Sequence, residues 1–217
     1  MRRPTGFTLV EVLVALGVMA LLALMSWRGL DAMVGTQGRL QERADQVRTL
    51  QAGLAQWQTD LSRLSAIQGV QSWDWDGKVL RLTREGTQAG DGLRVVAWSW
   101  RQEGAGGEWL RWQSSALTTQ AAWQQAWQNA QLWSQTPTTA LRGGEVRIHP
   151  LLGWQLFVHR GGNWTNPLSS DATTPGSGNT ARVPDGVRLV LDLPADTPVS
   201  GRLSLDWVRP TLSGGAR

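Results

Sequence analysis

The feature that most constrains this chain is an apolar run from Phe7 to Trp27, 21 residues whose one charge is Glu11. As a helix rising about 1.5 Å per residue it spans roughly 30 Å, the thickness of a bilayer's hydrocarbon core. Arg2 and Arg3 precede it, and the positive-inside rule keeps that end cytoplasmic and sends the rest across the membrane. Beyond Trp27 the residues are polar, with many Trp, Gln, Gly and Arg. The expectation is a single-pass anchor carrying an exported domain.

Composition narrows the chemistry of that domain. The 217 residues suffice for one sizeable core beyond the anchor. With no cysteine there is no disulfide framework, thiolate metal site or cysteine nucleophile. The net charge of +4 is small, Lys78 is the single lysine, and the arginines are scattered among acids and tryptophans. A surface that grips nucleic acid needs clustered positive charge, so no nucleic-acid partner is expected.

Three readings compete for the apolar run: a cleaved secretory signal, a plain signal anchor, and a leader cut ahead of the run. A secretory signal places its cleavage site after the apolar core and has no acid within it. A carboxylate in a membrane-crossing helix costs at least ~2.5 kcal/mol, so Glu11 demands a purpose. The string Gly6-Phe7-Thr8-Leu9-Val10-Glu11, set directly behind a basic hexapeptide, resembles the class III signal of type IV pilins and pseudopilins. That resemblance implies that prepilin peptidase cuts between Gly6 and Phe7 and that the new amino group of Phe7 is N-methylated. It also implies that the run stays as the anchor, and that Glu11 pairs with the N-terminal amine of a neighbouring subunit.

Past Trp27 the pattern becomes amphipathic. Val47, Leu50, Leu54, Trp57, Leu61 and Leu64 recur at spacings of three and four, one face of a helix. One helix from Phe7 to about Leu64 is expected, its second half packed on the following domain rather than on a coiled-coil partner. Gly29, Gly35 and Gly38 each weaken it by ~1 kcal/mol, which predicts a bend or a frayed stretch.

After Leu64 the period changes to alternation. Val70 to Trp75 and Val79 to Thr83 flank the hairpin signal Asp76-Gly77, and Leu93 to Arg101 and Glu108 to Gln113 flank Gly104-Ala105-Gly106-Gly107. Further strands are expected at 145–149, 154–159, 187–193 and 202–208. Ala121 to Trp133 is open between a short helix and an irregular strand, and 163–179 reads as a long exposed loop. The fold class expected is α+β and pilin-like: a long N-terminal helix, transmembrane then amphipathic, on an antiparallel sheet domain. The divisions are leader 1–6, transmembrane helix 7–27, amphipathic helix 28–64 and β-rich periplasmic domain 65–217.

Two further stretches refine the resemblance. Arg28-Gly29-Leu30-Asp31, just after the apolar run, and Val183-Pro184-Asp185-Gly186-Val187-Arg188, entering a strand, are similar to the J-type minor pseudopilin of type II secretion systems. The cysteine pair of many major pilins, and their proline near position 28, are absent. The resemblance implies a non-enzymatic subunit in the bacterial inner membrane. Such a subunit sits with I-type and K-type minor pseudopilins at the tip of the pseudopilus, in filament initiation and protein export across the outer membrane. The alternative is a minor pilin of a type IV pilus, for adhesion or DNA uptake, and a more distant one is an anchored periplasmic enzyme or carbohydrate binder.

Chemistry-bearing residues are few. His149 and His159 flank an expected turn and could meet across a hairpin beside Glu145, but a zinc site needs three or four protein ligands with second-shell support. Asp74 and Asp76 lack the oxygen-rich loop that calcium requires. No nucleophile-elbow or zincin motif occurs, so no catalytic residue, metal or cofactor is expected. The fourteen tryptophans, with no tyrosine and two phenylalanines, must supply the aromatic core.

Overall fold

The computed structural model describes residues 8–88, 90–104, 106–169 and 183–210, with the backbone alone at Ala32. It has an α+β fold that begins with one long helix, α1 (Leu9–Ser62). The chain divides into two units, up to Asp45 and from Gln46 onward, and α1 belongs to both. In the first unit every described side chain of α1 is exposed except that of Ala44, which is half-buried. No fraying appears at the glycines: α1 is continuous through Gly29, Gly35 and Gly38, around which Leu, Met, Arg and Gln sustain the backbone ladder.

In the second unit the last turns of α1 lie on β-sheet. Leu50, Trp57 and Leu61 are buried, Leu54 and Leu64 half-buried, so the amphipathic stripe is the face that packs. There are two antiparallel sheets where one was expected. The first has the order β1 (Trp73–Trp75), β2 (Val79–Glu85), β3 (Leu93–Glu103), β4 (Gly106–Gln113) and β5 (Glu145–Leu151). The second has the order β7 (Asn163–Thr165), β6 (Gly153–Arg160), β8 (Gly186–Leu193) and β9 (Gly201–Val208). Both expected hairpins form, and Asp76 caps the first: its Oδ1 accepts from the amides of Lys78 and Val79 at 2.9 and 2.8 Å.

The ambiguous stretch resolves as helix α2 (Gln120–Gln135), capped by the Thr119 hydroxyl, which accepts from the Ala122 amide; a one-turn α3 (Thr139–Arg142) follows. α2 covers the face of the first sheet turned away from α1. Leu80, Leu82, Val96 and Trp98 therefore face a core shared with α1 and the second sheet, while Val79, Val95 and Ala97 face Trp123, Trp127 and Trp133. Burial on both faces explains the unbroken apolar stretch Val95-Val96-Ala97-Trp98 within β3. The expected loop at 163–179 is also corrected at its start, because Asn163–Thr165 pairs with β6; its continuation from 170 lies outside the described residues.

Tryptophan does build the core. Trp57, Trp73, Trp98, Trp109 and Trp133 are fully buried. Trp57 from α1 meets Trp98 edge-on at 5.3 Å, and Trp98 lies 4.8 Å from Trp109, so the helix is keyed into the first sheet by indoles.

Candidate functional site

The first described residues hold the candidate site. Thr8 stands just before Leu9, and its backbone amide and hydroxyl both donate to Oε2 of Glu11 at 2.9 Å. The Glu11 amide points back at the Thr8 hydroxyl at 3.4 Å. This reciprocal pattern is a capping box, in which the residue before a helix and the third residue within it satisfy each other's exposed amides. The carboxylate also sits at the positive end of the helix dipole. Within one chain, then, Glu11 is held by local donors, a partner that reading the residues one by one overlooked although Thr-x-x-Glu is its signature.

Behind the box the helix presents apolar side chains on every side. Leu9, Leu13, Leu16, Met19, Leu24 and Trp27 are each more than half exposed. This helix is long and apolar enough to cross a membrane. In water such a surface is unsustainable, and what it fits is lipid or other helices of the same kind. Arg2, Arg3, Gly6 and Phe7, to which leader and cleavage roles were assigned, lie outside the described residues.

The folded domain offers other candidates, and each has a local explanation. His149 and His159 do not meet across a hairpin, because β5 pairs with β4 and β6 with β7 and β8, which puts the histidines in different sheets. His149 is buried, and burial lowers the pKa of its imidazole. His159 stands edge-on to Trp164 at 5.3 Å. Glu145 accepts from Arg101 at 2.9 Å and from the Trp133 indole at 2.7 Å; burial raises its pKa, but those donors outweigh it and hold the carboxyl below its usual range. Asp74 pairs with Arg81, which stacks on Trp127. Among the described residues no three His, Asp or Glu side chains are placed to hold a metal ion.

A cleft of about 730 Å³ opens where the segment after α1, the β2–β3 turn and the start of α2 converge, with Val70, Leu117 and Trp123 in its lining. Glu85 is the one ionisable residue described there.

What positions the end of α1 is a charge cluster that sequence reasoning missed. Asp60 is wholly buried on the apolar face of the helix. It accepts from Gln56 at 2.8 Å, from the Trp98 indole at 3.0 Å and from Arg111 at 2.8 and 3.1 Å, with Arg84 at 3.3 Å. Burial lowers the pKa of Arg84, against the pull of Asp60. Two residues on, the Ser62 hydroxyl accepts from the Trp207 indole at 3.0 Å, so the last turns of α1 bond to both sheets.

Residues 1–27 match the family model described as the prokaryotic N-terminal methylation motif. No curated protein matches the chain. The match takes in the basic hexapeptide, the Thr8–Glu11 box and the apolar run, and stops where the polar portion begins.

Proposed function

We propose that the chain is a minor pseudopilin of the J type, a non-enzymatic subunit at the tip of the pseudopilus of a type II secretion system. The observation that carries this reading is the methylation motif laid over a helix that begins with a capped Glu11 and exposes apolar side chains all round. The chain is cut between Gly6 and Phe7, the amine of Phe7 is methylated, and residues 7–27 remain in the inner membrane with the β-rich domain in the periplasm. The apolar helix then leaves lipid for a bundle of like helices, where dispersion and close packing replace lipid contacts.

Glu11 is the residue that makes this transfer specific. Burying a lone carboxylate in hydrocarbon is costly, and the Thr8 donors meet only part of that cost. The Phe7 amine of an adjacent subunit supplies the missing positive charge, so that assembly brings two unfavourable groups into one favourable contact. The similarity of Arg28-Gly29-Leu30-Asp31 and of the Val183–Arg188 stretch to J-type subunits supports the subtype, with I-type and K-type minor pseudopilins as neighbours.

The test has two readouts. Mass spectrometry of the purified chain is expected to find a methylated Phe7 as first residue, and Glu11→Ala is expected to block incorporation into filaments while membrane insertion persists. An uncut N-terminus, or secretion unchanged by Glu11→Ala, overturns the reading. Loss of piliation with secretion intact assigns the chain to a type IV pilus instead.

A further inference from the structure

The two sheets end in four edge strands, and three of them are blunted in the usual ways. β1 and β7 have three residues each. β5 contains Pro150, and its pairing with β4 is interrupted by an irregularity at Trp109/Leu110. Short strands, prolines and bulges keep edges from recruiting foreign strands. β9 has none of these: eight residues run in unbroken register against β8, and among the described residues no strand lies on its other side.

The direction of its backbone groups follows from hydrogen bonds at the strand ends. The Asp192 carbonyl accepts from the Leu152 amide on the β6 side, so the even residues of β8 bond β6 and the odd ones bond β9. The partners of those odd residues are Leu203, Leu205 and Trp207, and the Arg209 amide donates to Asp185 on the same parity. The amides and carbonyls of Arg202, Ser204 and Asp206 therefore point outward, unpaired by the sheet.

The side chains at those positions are self-complementary. Arg202, Ser204 and Asp206 are exposed on one face of the sheet, while Leu203 and Leu205 on the other are half-buried. Two copies of β9 laid antiparallel about Ser204 place each Arg202 opposite the other copy's Asp206, and each Leu203 opposite the other's Leu205. Each ion already has an intrachain partner, Asp192 for Arg202 at 2.9 Å and Arg188 for Asp206 at 2.6 Å. The paired sheets would thus carry two rows of alternating charge, Asp192, Arg202, Asp206, Arg188, running without a break from one copy into the next. Centring the pair on position 202 or 206 instead sets like charges face to face, so the pattern also selects the register.

We propose that β9 is a self-recognition edge, through which two copies of this chain join their second sheets into one continuous eight-stranded sheet about a two-fold axis at Ser204. The contact is isologous, since the same residues serve on both sides. It is independent of the pseudopilin reading, because it rests on the folded domain alone.

The chain's lack of cysteine makes the test direct. Opposed residues in an antiparallel pair have Cα atoms about 5.5 Å apart, within disulfide reach. The full chain carrying S204C, oxidised in membranes of producing cells, is expected to give a disulfide dimer on a non-reducing gel, roughly tenfold more than V146C on the exposed β5 edge. Two pair-swapped variants probe the register without breaking an intrachain ion pair. D192R/R202D sets acid against acid across the two-fold, and R188D/D206R sets base against base. In the S204C background each alone is expected to lose dimer roughly tenfold, as two like-charge contacts replace two favourable ones. Co-produced with tags of different mass, they are expected to recover it as a mixed dimer, because opposite charges then meet at both positions. Equal cross-linking of S204C and V146C, undiminished dimer in either swapped variant, or no mixed dimer on co-production overturns the proposal.

Discussion

Arg111 on β4 reaches Asp60 on α1 with two guanidinium N–H groups, Nε at 2.8 Å from one carboxylate oxygen and Nη2 at 3.1 Å from the other, in a place from which water is excluded. Because the carboxylate also takes the Trp98 indole and Gln56, Asp60→Ala leaves buried donors and an unbalanced cation pair. The expected loss is about 3–5 kcal/mol. Urea unfolding followed by tryptophan fluorescence measures it, and a loss below about 1 kcal/mol would mean that the cluster is wetter than its burial indicates.

The capping box makes its own prediction. Thr8→Val keeps the shape of the side chain and removes the hydroxyl, which weakens the start of the helix by about 1 kcal/mol and deprives Glu11 of a donor. Filament incorporation is expected to fall roughly fivefold on that free energy, and Thr8→Ser is expected to restore it. Quantitative blotting of sheared filaments decides the matter, and equal levels for the two variants would dismiss the hydroxyl.

At Gly53 α1 lies close against the first sheet. A Cβ there would sit 2.2 Å from Cγ2 of Ile148 and 3.3 Å from the Trp109 ring. Gly53→Ala therefore sets a gain in helix propensity of about 1 kcal/mol against an overpacking cost of about 1–3 kcal/mol, and net destabilisation is expected. Ile148→Ala removes that Cγ2, so Gly53→Ala is expected to cost less in its background than in the parent chain. Additive losses in the double variant, read from denaturant midpoints, would contradict this account.

Acid should loosen the domain through His149 and Glu145. Burial lowers the folded-state pKa of His149, so its contribution is present above the unfolded imidazole value of about 6.5 and is lost as pH falls below it. For Glu145 burial raises the pKa, but the Arg101 and Trp133 donors outweigh it and leave it depressed overall. Its contribution is present above about 4.3 and disappears on further acidification. Thermal melts from pH 7.5 to 3.5 should show two falling limbs. His149→Gln is expected to flatten the upper limb and Glu145→Gln the lower one.

Local signals placed most strands and both hairpins, because Asp76-Gly77 and the Gly104–Gly107 run are turn chemistry that acts over a few residues. Ala121 to Trp133 stayed ambiguous since tryptophan favours strands while its spacing here is helical, and burial of one face against β2 and β3 decided for helix. The division into two sheets was hidden at Leu152. Two strands joined through one residue look like a hairpin, yet β5 found β4 and β6 found β8, choices set by partners far along the chain. Asp60 was illegible for the same reason, as Trp98 and Arg111 lie 38 and 51 residues away. The apolar N-terminal helix needed no such partner and was legible from composition alone.

The paired attachments at Asp60 and Ser62 have a mechanical meaning. Any force that travels along α1 enters the domain at its final turns, where one side chain is bound to β4 and another, through Trp207, to β9. Load arriving there is divided between two sheets instead of peeling a single strand, and both bonds must rupture before the helix can slide.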